Sequence, residues 1–211
     1  MKHVVLVAVL SAAPVAFAQD AARPDPFTGG SAQAGAGKAA VCGACHGPGG
    51  NSTNPEWPKL AGQHAAYTYH ELVELKSGTR KSPVMGPMAA PLSDQDMRDL
   101  AAYFAAQKPS PGVASPDAVA VAQPLFRAGD APRQLPACAA CHGPQGQGNA
   151  GARYPRIAGQ HASYNATMLR NYRAQAGAVN ADPEAAIMAS IAGKLTDAEI
   201  EALASYVNGL H

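Results

Sequence analysis

The chain has 211 residues, with 16 basic side chains against 15 acidic ones and 47% of its residues hydrophobic. That length accommodates one large domain or two small ones, and the apolar content excludes a disordered polyelectrolyte. The charge is balanced, with no basic stripe or polybasic tail, so no nucleic-acid partner is expected.

The N-terminus reads as an export signal over residues 1–18. Lys2 gives a positive start, Val4 to Leu10 an apolar stretch, and Ala16-Phe17-Ala18 a small-x-small cleavage site. The apolar stretch is too short for a comfortable membrane span, so cleavage after Ala18 and a soluble exported product are expected. Residues 19–29 read as a flexible mature N-terminus.

The next signal is Cys-x-x-Cys-His, written twice: Cys42-Gly43-Ala44-Cys45-His46 and Cys138-Ala139-Ala140-Cys141-His142. This spacing lets two thiols reach the two vinyl groups of one porphyrin and places the histidine under its iron. Cys42, Cys45, Cys138 and Cys141 are the only four cysteines, so none remains for a disulfide. Four cysteines in an exported chain would otherwise suggest two bridges, and paired Cys-x-x-Cys motifs a zinc site. A histidine after both pairs, inside a larger repeat, favours two covalently attached haem c groups with His46 and His142 as proximal ligands. The haems would also supply much of the apolar core of two small domains.

The chain aligns on itself. Pro58-Lys59-Leu60-Ala61-Gly62-Gln63-His64-Ala65 matches Pro155-Arg156-Ile157-Ala158-Gly159-Gln160-His161-Ala162, and Tyr67 matches Tyr164. Leu92-Ser93-Asp94 matches Leu195-Thr196-Asp197, and Ala101-Ala102-Tyr103 matches Ala204-Ser205-Tyr206. Two domains follow, over residues 30–107 and 117–211. Between them, residues 108–116 contain three prolines and a glycine, the composition of an extended linker.

Both halves read as all-α. Helices are expected before each haem motif, over 31–41 and 121–129, and in the middle of each half, over 67–75 and 164–173. Ser93 and Thr196 are N-caps with an acidic residue three positions on, Asp96 and Glu199. The helices they open place Met97, Leu100, Ala101 and Phe104 on one face, and Ile200, Leu203, Ala204 and Val207 on the equivalent face.

The repeat also nominates sixth ligands. Met85 and Met188 each lie seven residues before the matched Leu92 and Leu195, in what reads as a loop ahead of the last helix. Thioether ligation favours reduced iron and raises the potential. Met88 competes locally with Met85 but has no counterpart, since its repeat position is Ile191; Met97 and Met168 read as core. His64 and His161 are also paired and could be sixth ligands, but each follows an Ala-Gly-Gln turn soon after the haem motif, which favours a structural or surface role near the haem edge. His70 and His211 are unpaired and read as solvated. The carbonyls of Pro58 and Pro155 are candidate acceptors for the proximal histidines. Trp57 and Tyr154 could wall the haem pockets, and Arg80 and Arg173 could meet propionates.

With these residues in place the chain resembles the dihaem cytochrome c4 family over nearly all of its mature length. The likeness rests on the duplicated haem motif, the Pro-x-Leu/Ile-Ala-Gly-Gln blocks, and Met85 and Met188 ahead of Leu-Ser-Asp-Gln-Asp and Leu-Thr-Asp-Ala-Glu. It implies two tandem class I cytochrome c domains related by a pseudo-twofold axis, with haem propionate edges facing each other. It further implies a periplasmic electron carrier, free or peripherally membrane-associated, and not an enzyme. Its donor would be a redox protein such as a quinol–cytochrome c reductase, and its acceptor one such as a terminal oxidase. The proline-rich stretch Ser82 to Met88 departs from the pattern and bears on Met85 against Met88.

Two other functions fit a dihaem chain. A peroxidase or thiosulfate-oxidising enzyme needs one haem with an open, histidine or thiolate sixth position; no cysteine is spare for the thiolate, and the near-equal halves argue against such a division of labour. A cytochrome subunit of a membrane redox complex is the third reading, weakened by the lack of an apolar segment of spanning length after the signal.

Overall fold

The computed structural model describes residues 25–178 and 182–211. The export signal, its cleavage site and residues 19–24 lie outside them. Among the described residues the chain is helical, with two isolated β-bridges, Asp130 to Leu135 and Asn149 to Tyr154, and no strand. No described helix is long and apolar enough to cross a membrane.

The N-terminal half holds α1 (Ala32–Lys38), α2 (Ala40–His46), α3 (Ala65–Ser77), α4 (Met85–Ala89) and α5 (Asp94–Ala105). The C-terminal half holds α6 (Pro116–Ala128), α7 (Cys138–His142), α8 (Ala162–Ala174), α9 (Pro183–Ala192) and α10 (Asp197–Asn208). The first helix of each half packs against its last, α1 on α5 and α6 on α10. The α1–α5 crossing is close enough to require Gly35, where a Cβ would sit 2.1 Å from the Asp99 carbonyl oxygen.

The expected capping boxes are present. Ser93 Oγ accepts from the Asp96 N–H while the Asp96 carboxylate accepts from Ser93, and Thr196 and Glu199 do the same. Both apolar faces are buried: Leu100, Ala101, Ile200 and Ala204 are at most 1% exposed. The middle helices α3 and α8 each extend about a residue or two beyond their expected ends.

Three expectations are corrected. The stretches carrying Met85 and Met188 are helical, not loops: Met85 opens α4, and Met188 lies inside α9. In α9 the cause is local, because Asp182 caps, Pro183 takes the first helical position, and an alanine-rich run follows. The helix before the second haem motif starts at Pro116, the last residue of the expected linker, for the same first-turn reason. The end of the expected flexible N-terminus is ordered. Asp25 Oδ1 accepts from the N–H groups of Phe27 and Thr28, Arg98 donates to the Thr28 carbonyl at 2.7 Å, and Thr28 is buried.

The two halves meet in a reciprocal arrangement. Gln160 Oε1 accepts from the Lys59 N–H and Gln160 Nε2 donates to the Lys59 carbonyl, both at 2.8 Å. Gln63 makes the same pair of bonds with the Arg156 backbone, both at 2.9 Å. His64 Nε2 donates to the Gln147 carbonyl at 2.8 Å and His161 Nε2 to the Ser52 carbonyl at 2.9 Å. The linker is tied to both halves, since Ser110 donates to Asn51 and Val113 to Asn208, while Lys59 Nζ donates to the carbonyls of Ser110 and Gly159. Further contacts between the halves are not reciprocal: the Arg80 guanidinium, paired with Glu71, reaches the Tyr164 hydroxyl at 3.3 Å, and His70 Nε2 lies 3.4 Å from Asp182 Oδ2.

Ion pairs give the fold an acid limit. Arg133 bonds to the Glu199 carboxylate and holds its pKa down at about 2, below the ordinary 4.5. In the other half Asp99 is buried; burial opposes its ionisation, but Lys38, the Ser31 N–H and Gln95 outweigh that and lower its pKa. A carboxylate with a depressed folded pKa stabilises fully above its unfolded value and loses that contribution as pH falls through the folded one. Thermal midpoints will therefore fall as pH drops below about 4.5 toward about 2, and Glu199→Gln will flatten that dependence in the C-terminal half. Differential scanning calorimetry across this range measures both.

Candidate functional site

Each haem motif ends on a buried histidine. The short helices α2 and α7 close at His46 and His142, and the next residue turns the chain sharply. Gly47 and Gly143 have φ of 76° and 78°, values that favour glycine. At Gly47 a Cβ would lie 2.4 Å from the Asn51 carbonyl oxygen. The turn leads the chain back so that Pro58 and Pro155 present carbonyls to the imidazoles.

His46 Nδ1 donates to the Pro58 carbonyl at 2.8 Å, and His142 Nδ1 to the Pro155 carbonyl at 3.0 Å. Both acceptors are those the repeat nominated. This bond fixes the tautomer: Nδ1 carries the proton and Nε2 carries the lone pair, with no hydrogen bond to Nε2 among the described residues. Burial lowers the pKa of both rings, against the opposing pull of the carbonyls. A neutral imidazole in a fixed orientation is the form that binds a metal ion.

In the C-terminal half, Cys138, Cys141, His142 and Met188 line one cavity, bringing together the four residues the sequence nominated there. Its walls are apolar, among them Leu125, Phe126, Leu135, Ile157, Leu169 and Leu203. Tyr154 also lines it, with its ring centroid 6.4 Å from that of His142. The N-terminal half contributes Tyr67, His70 and Glu71 to the rim, so both halves line this cavity. Two adjacent thiols, a neutral imidazole, a thioether and apolar walls suit a covalently held haem.

In the N-terminal half, Cys42 packs on the core of Ala39, Leu100 and Phe104, and Cys45 is exposed. Met85 is half-buried on α4, which packs against α3, whereas Met88 is 41% exposed. Met85 is thus the less exposed of the two methionines. Trp57 is 42% exposed and does not repeat the role of Tyr154.

Other candidates take different places. His64 and His161 are committed to bonds between the halves. His70 is not solvated: its Nε2 lies 3.4 Å from Asp182 Oδ2, the cap of the helix carrying Met188. Arg173 pairs with Asp197 near the surface, and Arg80 lies between the halves on Glu71 and Tyr164. The sequence reading passed over Gln63 and Gln160; their one signal was recurrence at the same repeat position.

Comparison with known proteins places the chain in a family. The family model for Cytochrome c matches residues 32–108 and 126–211. Cytochrome c4 of Azotobacter vinelandii is 48% identical over 191 residues, covering 86% of this chain and 90% of that protein. The crystal structure of reduced recombinant cytochrome c4 from Pseudomonas stutzeri superposes with a TM-score of 0.82 at 45% identity, covering 86% of this chain and all of that one. More distant is a thiosulfate dehydrogenase electron acceptor of Stutzerimonas stutzeri, 39% identical over 180 residues, with 82% of this chain and 81% of that protein covered. Two matched cytochrome segments, two haem motifs and relatives matched over most of their length place the chain in the cytochrome c4 family, as an electron-transfer protein of two tandem class I domains, each with one covalently bound haem c.

Proposed function

We propose that Cys42 and Cys45 hold one haem and Cys138 and Cys141 the other, with His46 and Met85 ligating the first iron and His142 and Met188 the second. The first domain spans residues 30–107, the second 117–211, and the linker 108–116. Haem iron supplies one-electron exchange between Fe(II) and Fe(III). The chain holds both ligand rings in one tautomer, lines the second site with apolar side chains that keep water out, and fixes the halves on each other so that an electron can enter through one and leave through the other. Rigid ligands favour transfer because they keep reorganisation small. The observation that carries this reading is the matched pair of imidazoles, each oriented by a proline carbonyl at 2.8 or 3.0 Å.

The protein acts in the periplasm after cleavage at Ala18 and carries electrons from a quinol–cytochrome c reductase to a terminal oxidase. A second donor, a thiosulfate-oxidising enzyme, is favoured by the 39% identity to an acceptor of such an enzyme. Purified protein from cells competent in cytochrome maturation should begin at Gln19 and carry two covalent haem additions by mass spectrometry. Stopped-flow mixing should show fast reduction by the reductase and fast reoxidation by an oxidase. Fast reduction by thiosulfate dehydrogenase, with none by the reductase, would make the second donor the correct one.

A further inference from the structure

The glutamines between the halves do more than join them. The Pro58–Lys59 peptide group is bonded at both ends: its carbonyl accepts from His46 Nδ1 at 2.8 Å, and its N–H donates to Gln160 Oε1 at 2.8 Å. The Pro155–Arg156 peptide repeats this, accepting from His142 Nδ1 at 3.0 Å and donating to Gln63 Oε1 at 2.9 Å. A single peptide thus lies between each histidine and a glutamine of the opposite domain. Both glutamines are buried, at 8% and 9% exposure. Their amide orientation is fixed, because each Oε1 also accepts the N–H of the following residue, His64 or His161, while Nε2 faces a carbonyl.

We propose that each domain's glutamine is a positioning residue for the other domain's haem, Gln160 acting on His46 and Gln63 on His142. The inference rests on the reading of the two histidines as iron ligands. A bond to a peptide N–H pushes electron density onto the carbonyl of the same peptide, and hydrogen bonds in series strengthen one another in a buried setting. The carbonyl then pulls harder on Nδ1–H, the imidazole becomes more basic, and electron donation to the iron rises, which favours Fe(III). Each domain therefore lowers the potential of the haem it does not carry. Docking of the domains and tuning of the irons are one event.

The test is Gln160→Met and Gln63→Met in the full chain, which keep side-chain length and remove both bonds. At a fixed solution potential, Gln160→Met should raise the reduced-to-oxidised ratio of the first haem by about threefold to tenfold, the latter being ~59 mV for a one-electron couple, and move the second less. Gln63→Met should do the converse. His64→Ala and His161→Ala remove one bond each between the domains, leave both peptides intact, and should leave both haems within about twofold. Equal shifts at both haems, a shift only in the haem of the substituted domain, or an equal effect of the histidine variants would overturn the proposal. Nuclear magnetic resonance of histidine-labelled oxidised protein separates the two readings. Paramagnetically shifted Nδ1–H signals from His46 and His142 support ligation, and their absence sinks it. Shifted signals that do not move in the glutamine variants, with unchanged potentials, sink the tuning alone.

Discussion

Met188→Ala is expected to remove about half of the weak red absorption of Fe(III)–methionine bonding, and Met85→Ala the other half. Each variant should also lower the potential of its own haem, because a lost thioether gives way to water or a harder ligand that favours Fe(III). Met188 lines the same cavity as Cys138, Cys141 and His142, and Met168 is the other methionine lining it. Met168 is held by α8 and its sulfur lies 3.6 Å from Arg80 Nη2. In the first domain Met88 sits three residues from Met85 on α4 and is the more exposed of the two, at 41%. Met88→Ala should therefore leave the band intact. If Met88→Ala removes the first-domain half, the assignment of Met85 is wrong.

The two methionine helices differ in a way that bears on this result. The helix carrying Met188 has ten residues, is capped by Asp182, and that cap lies beside His70 of the first domain. The one carrying Met85 has five residues and no side-chain cap. A capped helix resists fraying by about 1 kcal/mol more than an uncapped one. The Met85 bond should be the first to exchange when temperature rises, visible as loss of half the band before the rest.

Much of this was legible in the sequence because it is local. The haem motifs, the capping boxes at Ser93 and Thr196, and the apolar faces of the last helices all depend on residues within a turn or two. The Pro58 and Pro155 carbonyls were legible because the repeat placed them at equal distances after the motifs. What escaped depends on the meeting of the halves. Gln63, Gln160 and His70 have partners 93 to 112 residues away, and no periodicity records such pairs. Trp57 and Tyr154 occupy one repeat position yet differ in exposure, because Tyr154 is fixed by its bridge to Asn149 and the first loop has no such bridge among the described residues. The α9 helix is a different case: the stretch carrying Met188 reads as a loop, but Asp182 caps it and Pro183 at the first helical position starts a helix.

The largest stability effect is expected from the first haem. Cys42→Ala combined with Cys45→Ala should unfold the N-terminal domain, whereas Cys138→Ala with Cys141→Ala should leave much of the C-terminal helix in place. The cores explain the difference. The second domain buries Phe126, Leu135, Leu195, Ile200, Leu203, Tyr206 and Val207. The first buries Leu75, Met97, Leu100 and Phe104 among alanines, and only Leu100 and Phe104 of these join its central cluster. A fully buried large side chain contributes about 1.5–3 kcal/mol, while ordering each residue costs about 1–2 kcal/mol. Four such side chains cannot hold five helices, so the macrocycle must complete that core. Unfolding of the first domain also frees Gln63 and the rim residues Tyr67, His70 and Glu71 from the second site, and the linker becomes open to proteolysis. Circular dichroism should lose somewhat under half of the helical signal, the share carried by α1 to α5. Greater loss in the Cys138/Cys141 variant than in the Cys42/Cys45 variant would show that the first domain does not depend on its haem for a core.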